Sequence, residues 1–284
     1  MVDCESEIIS DPDIDAICIC TPNYRICPLI IASLLAGKHV FAEKPPGLNA
    51  QEVEQIRVAE EKSDNLKLMY GFNHRHHLSI KRMKQIVDSG ELGKLLWMRG
   101  RYGKEVDDSF FDGWRANPEL AGGGIMLDQG IHMLDLMMHL GGGFDEVHAF
   151  VSNLFWKLEG IEDNVFAILK SSQTGVCASI HSTMTQWRYL FSLEVFCENG
   201  SLILNGLKTS SGAYGEEDLA IKRNATDGRF TSEERIVFHE DTSWQLEITH
   251  FLDCIQNGRA IEHGNSTDAL SLMKLMDRIY EHRV

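Results

Sequence analysis

The chain has 284 residues, 43% hydrophobic and 24% charged, with a formal net charge of −15. That length holds one large domain or two ordinary ones, and the apolar content suffices for a proper core. The acidic balance argues against nucleic acid and anionic membrane surfaces as partners, since both select concentrated Lys and Arg.

No uninterrupted apolar run approaches the ~20 residues of a membrane span. The start, Met1-Val2-Asp3-Cys4-Glu5, is acidic and lacks the apolar stretch of a signal peptide. Seven scattered cysteines, an odd number, fit reduced thiols in a cytoplasmic protein. Cys18, Cys20 and Cys27 are read as buried small apolar residues rather than a metal or redox site.

Residues 5–13 read as the end of a short helix closed at Asp11-Pro12. Asp15–Cys20 is nearly all apolar, as in a parallel strand buried on both faces. It stops at the turn Thr21-Pro22-Asn23, and Arg25–Ala36 then carries helical periodicity up to Gly37. His39–Ala42 is the next buried strand and runs into Glu43-Lys44-Pro45-Pro46. Asn49 caps a helix through about Ser63, with Glu52 completing a capping-box pattern. Leu66–Phe72 is a third strand. Strands and helices alternating at this spacing predict right-handed crossovers and a parallel sheet. Ligands bind at the carboxyl ends of such strands, which here carry Thr21-Pro22-Asn23, Glu43-Lys44-Pro45 and Asn73-His74-Arg75.

After a helix over Ser79–Ser89 the pattern changes. Leu95–Arg101, Val147–Phe155, Asn164–Ser171, Val176–Thr183, Phe191–Cys197 and Ser201–Leu204 read as strands, with weaker ones near Leu219–Lys222 and Arg235–Phe238. The Gly- and Ser-rich segment Ser210–Gly215 reads as a mobile loop. Helices over Ser243–Asn257 and Ser266–His282 close the chain, the second capped by Ser266. The predicted fold is therefore α/β followed by α+β: a parallel-sheet domain over residues 1–73, then a mostly antiparallel open sheet with helices on one face over 74–284.

Within the second part, Gly122-Gly123-Gly124 and Gly141-Gly142-Gly143 bracket a run of helical length. Asp128, His132, Asp135 and His139 recur there at steps of four, three and four, which places them on one stripe of an otherwise apolar helix. Buried ionisable groups must be paired, hydrogen-bonded or lining a wet cavity. An Asp one turn before a His can fix the imidazole tautomer for general acid–base work. A purely structural Asp–His hydrogen bond is the competing reading. A metal site is a third, disfavoured because no tight Cys/His cluster accompanies it.

Taken together, Thr21-Pro22-Asn23, Ala36-Gly37-Lys38-His39-Val40, Glu43-Lys44-Pro45, Gly71-Phe72-Asn73, Trp114-Arg115 and the glycine-triplet helix resemble the Gfo/Idh/MocA oxidoreductases. The resemblance implies a Rossmann-like nucleotide domain, NAD or NADP as cofactor, and a small sugar, cyclitol or sugar-nucleotide substrate, with no metal. It also implies a homo-oligomer formed through the open sheet. It places Lys44, Asp128 and His132 in the catalytic centre: His132 as base, Asp128 orienting it or holding a neighbouring hydroxyl, Lys44 on the developing alkoxide. Thr21, Pro22, Asn23, Glu43, Asn73, Trp114 and Arg115, with Lys44, fall to the cofactor.

Two departures are visible. Family members usually carry His where this chain has Ile26. The opening strand with its Gly-x-Gly-x-x-Gly turn, and the strand that reads the ribose, do not precede Asp15. The expectation is an incomplete copy of a longer protein with a weakened pyrophosphate site; a naturally short, non-catalytic binding or scaffold protein is the alternative.

Overall fold

A computed structural model describes residues 4–224 and 231–283; the acidic start at Met1–Asp3 lies outside them. After a short helix α1 (Glu5–Ser10), three strands form a parallel sheet in the order β1-β2-β3: β1 (Ala16–Ile19), β2 (His39–Glu43) and β3 (Leu68–Gly71). Helices α2 (Asn23–Leu35) and α3 (Ala50–Glu60) make the crossovers. Asn49 caps α3 through its side-chain oxygen, which accepts from Glu52 N at 3.0 Å. The Glu52 carboxylate reaches one residue further than a capping box requires and accepts from Leu48 N at 2.7 Å.

The expectation that β1 is buried on both faces is corrected. Ile19 alone is buried in it, and Cys18 is exposed. Among the described residues β1 pairs only with β2, so one edge and part of one face meet solvent. Cys20 is also exposed, so of these three only Cys27 is buried; all seven cysteines are free thiols.

Helix α4 (Leu78–Ser89) leads into an eight-stranded sheet. Its members are β4 (Leu95–Gly103), β5 (Glu146–Ser152), β6 (Asn164–Lys170), β7 (Cys177–Thr183), β8 (Leu190–Cys197), β9 (Gly200–Asn205), β10 (Glu217–Arg223) and β11 (Glu233–Phe238). The order is β11-β10-β9-β8-β4-β7-β6-β5, antiparallel except where β4 meets β7. Period-two alternation sorts the faces. In β6, Val165, Ala167 and Leu169 are buried whereas Phe166 and Ile168 stand 50% and 61% exposed on the open face.

The short helix α5 (Pro118–Ala121) precedes the glycine triplet, and α6 (Ile131–Gly141) follows it. Helices α7 (Ser243–Gln256) and α8 (Ser266–Tyr280) come last. Side chains of α6 fill the covered face of the sheet so closely that a Cβ on Gly100 would lie 2.5 Å from Met133 Sδ. Helix α8 packs on α3, β3, β5 and α6 and joins the two sheets into one continuous core. Its cap is Asn265, not Ser266: Asn265 Oδ1 accepts from Asp268 N at 2.9 Å. No helix among the described residues is long and apolar enough to cross a membrane.

The glycine-bracketed stretch is not one uniform helix. A π-helical turn over Met126–Gly130 precedes α6, with hydrogen bonds spanning one more residue than in an α-helix. Gly122 caps α5 at φ +78°, whereas close approach explains Gly123 and Gly124. A Cβ would lie 2.3 Å from the Tyr280 hydroxyl at Gly123 and 2.1 Å from the Glu162 carbonyl oxygen at Gly124. The buried Glu162 carboxylate accepts from Gly124 N (2.7 Å), Met126 N (3.0 Å) and the Tyr280 hydroxyl (2.8 Å), and pairs with Arg283 at 3.1 Å. Those bonds satisfy amides that a helix start leaves orphaned. They also fix the segment that carries Asp128.

Candidate active site

The carboxyl ends of β1 and β2 open into a cavity of about 280 Å³. Thr21, Pro22 and Asn23 line it from β1, Glu43 and Lys44 from β2, with Trp114, Arg115 and Asp128 opposite. A second cavity of about 390 Å³ shares Lys44, Arg115 and Asp128 and is walled further by Lys104, Phe110, Gln129 and Tyr189. Lys44 donates to the Asp128 backbone carbonyl, and its Nζ lies 3.4 Å from Asp128 Oδ1. Lys104 Nζ sits 2.5 Å from Oδ2 and Arg115 Nε 3.4 Å from Oδ1. Burial pushes the Asp128 carboxyl up, but Lys44, Lys104 and Arg115 outweigh it and hold it well below the usual carboxylate range. Asp128 is a carboxylate at every working pH.

His132 is buried and lines neither cavity, lying behind these cations. Burial comes first, then the Lys44 charge, in pushing its pKa well below the ordinary value, against the opposing pull of Asp128. The imidazole is therefore neutral. It stacks on His74 with centroids 3.9 Å apart and planes 12° apart, and its Nδ1 is buried without a partner. His74 is clamped in turn, with Nε2 2.9 Å from the Tyr102 hydroxyl and Nδ1 2.9 Å from Asn73 Oδ1.

Three expectations change. Asp128 does not hydrogen-bond His132; the π-helical turn moves it off the α-helical line, and its carboxylate faces the lysines. Asp135 serves the fold: Arg75 donates to both its oxygens at 2.8 and 2.6 Å and to Asp268 at 2.6 Å. Its neighbour on the stripe, His139, packs against His263 at 5.5 Å. Asn73 lines neither cavity: it is buried, bonded to His74 and donating to Ser243 Oγ at 3.2 Å. The stripe therefore splits between site and scaffold.

His74 stands in the strand-end triplet Asn73-His74-Arg75, but sequence pattern does not single out Lys104, Tyr102 or Tyr214. Lys104 had a signal, since it follows the carboxyl end of a strand as Lys44 does. Tyr214 had none. Its Gly- and Ser-rich loop predicts mobility, yet the ring packs on Tyr102 at 5.3 Å and on Tyr189 at 5.1 Å.

Glu247 lies behind Glu43, fully buried with neither carboxylate oxygen partnered. Burial, then the charges of Glu43 and Asp135, push its carboxyl up to about 9. An acid whose folded pKa is raised costs nothing below its unfolded pKa and costs progressively more as pH rises towards the folded value. Glu247→Gln should therefore stabilise the protein at pH 8, by on the order of 3 kcal/mol, and leave it unchanged near pH 4. Melting temperatures of both proteins across that range check this; parallel curves would contradict it.

The residues present suit a dinucleotide. Thr21 Oγ1 is buried without a partner beside the cavity. The first turn of α2, starting at the rim, has no side-chain cap and offers its amides and positive dipole end to an anion. Trp114 carries the Arg115 guanidinium 4.4 Å from its ring centroid. No group of three or more His, Cys, Asp or Glu among the described residues is arranged to hold a metal.

Comparison with known proteins agrees with this architecture. A profile described as the oxidoreductase family, NAD-binding Rossmann fold, matches residues 2–72. A GFO/IDH/MocA C-terminal domain profile matches residues 80–203. The chain belongs to the Gfo/Idh/MocA oxidoreductase family. It is 29% identical to 1,5-anhydro-D-fructose reductase of Ensifer adhaerens over 72% of its own length and 60% of that protein's. It is 28% identical to myo-inositol 2-dehydrogenase of Thermotoga maritima, over 74% of the chain and 62% of the relative. The chain thus spans about three fifths of the length of these relatives. In fold it is similar to levoglucosan dehydrogenase in complex with NADH and levoglucosan, with a TM-score of 0.87 at 22% identity over 99% of this chain and 81% of that one. It is likewise similar to aldose-aldose oxidoreductase from Caulobacter crescentus complexed with glycerol, with a TM-score of 0.84 at 24% identity over 98% and 79%.

Proposed function

We propose that the protein is an NAD(P)-dependent oxidoreductase acting on a hydroxyl or carbonyl carbon of a small sugar or cyclitol. The observation that carries this reading is a single carboxylate, Asp128, held ionised by Lys44, Lys104 and Arg115 beside a neutral His132 with an unpartnered ring nitrogen. A bound nicotinamide would accept or supply the hydride. Thr21, the α2 amides, Trp114 and Arg115 would hold the cofactor. Lys44, part-buried and fixed by Asp128, would stabilise alkoxide charge. His132 would take the hydroxyl proton, and Asp128 would keep both lysines aimed at the reacting oxygen.

His132→Asn should lower kcat by about 10²- to 10⁴-fold with cofactor affinity and melting temperature retained. Unchanged turnover would remove His132 from the chemistry.

The open face of the large sheet supports a second part of the reading, a partner that is another copy of this chain. It presents an apolar depression of about 560 Å³ lined by Phe150, Phe166, Ile168 and the stems of Arg99 and Arg101. Phe150 is 75% exposed, and a face of this kind is rarely left to water.

A further inference from the structure

Lys44, Lys104, Arg115 and Asp128 account for the inner wall of the larger cavity but not for its outer rim. Phe110 and Tyr189 line that cavity, and Phe110 continues into aromatic surface outside it. Phe110 meets Phe111 at 5.7 Å, and Phe111 meets Trp156 at 4.9 Å. Trp156 in turn meets Phe155 at 4.9 Å and Trp187 at 6.0 Å, and Phe155 meets Trp187 at 5.0 Å. Phe155 and Trp187 stand 54% and 53% exposed.

Ordinary loops do not hold aromatic rings in water this firmly. The tripeptide Leu154-Phe155-Trp156 gives all three of its amides to one buried carboxylate, Asp163, at 2.9, 2.7 and 3.0 Å. Trp156 Nε1 reaches across to the carbonyl of Met184 at 3.5 Å and ties this loop to the next one. In that next loop Trp187 has φ +54°, a conformation that bulky L residues avoid. Strain of this kind persists only where surrounding structure imposes it, and it gathers at binding sites. Neither the proton acceptor nor the cofactor residues need these rings.

We propose that this rim is a second sugar-binding subsite, and that the substrate is a glycoside of at least two rings whose outer ring stacks on Phe155 and Trp187. This rests on the oxidoreductase reading above. The chemistry favours a pyranose as the occupant: its C–H face is apolar with slightly positive hydrogens, which complements the negative face of an indole or phenyl ring. Its position favours it too, because the row of rings starts at Phe110 on the cavity wall and runs through Phe111 and Trp156 to Phe155 and Trp187. One ring would sit at Lys44 and Asp128, and those linked to it would lie along this row of aromatic rings.

The test is calorimetric titration, with NADH present, of one-ring methyl β-glycosides of glucose, galactose and xylose against cellobiose, lactose and xylobiose. The wild-type protein should bind at least one disaccharide about tenfold more tightly than the matching methyl glycoside. Trp187→Ala and Phe155→Ala should erase that ratio while leaving one-ring affinity unchanged, and Trp187→Tyr should restore most of it. One-ring binding with no disaccharide gain in the wild type would overturn the subsite and leave the oxidoreductase reading standing. Binding of no sugar at all would sink both. An unchanged ratio in the alanine variants, with a shift of mass in light scattering, would overturn the proposal and make the patch a subunit contact.

Discussion

Replacing Lys44 by methionine should lower kcat by a factor on the order of 10³, as large an effect as any expected in the site. Three effects add. The alkoxide loses the ammonium that faces it. Asp128 loses the first of the three cations that keep it ionised, and its carbonyl loses a donor. His132 loses the charge that, after burial, does most to hold its pKa down. The last effect has a sign. A His132 pKa that rises leaves less neutral imidazole at mildly acidic pH, so the acid limb of the kcat profile should move to higher pH in the variant. Lys44→Arg keeps the charge and should lose less. Turnover of Lys44→Met within tenfold of the parent would contradict this account of the residue.

The largest stability loss is expected at Arg75. Its guanidinium joins Asp135 of α6 to Asp268 of α8, and Asp135 is 1% exposed. Removing one member of a buried ion pair costs about 3–5 kcal/mol, because the charge left behind is uncompensated. In a chain of this size Arg75→Met should lower the melting temperature by on the order of 10 °C. The loss should be smaller near pH 4 than at pH 8: without Arg75 the buried Asp135 protonates readily, and the penalty grows only as the unfolded chain ionises. The double variant Arg75→Met/Asp135→Leu should recover most of the loss, since an apolar pair of similar volume tolerates burial. A melting temperature unmoved by Arg75→Met would contradict the role given to the pair.

Much of this was legible in the sequence. Buried strands, helix punctuation and the polar residues at strand ends located Thr21, Asn23, Glu43 and Lys44 before any geometry was known, because period and turn chemistry are local. What escaped was non-local. The stripe Asp128–His139 assumed a uniform α-helix, and a single π-helical turn, imposed by Glu162 across the chain, turns Asp128 to the lysines. Spacing alone gives Asp135 and Asp128 the same standing; only the arrival of Arg75 from the end of another strand separates them. Asn73 sits at a strand end like Lys44, but a 3₁₀ turn folds it inward to brace His74. Tyr214 and Trp187 lie in loops, where no periodicity marks the residues that matter.

The most direct test of the central claim is a titration of the purified protein with NADH and NADPH, read by energy transfer from tryptophan to nicotinamide. Trp114 lines the smaller cavity beside Arg115 and Lys44. Saturable transfer with at least one of the two cofactors, weakened by Trp114→Phe and by Arg115→Ala, is the predicted result. A folded protein that shows no saturable transfer with either would contradict the oxidoreductase reading at its root.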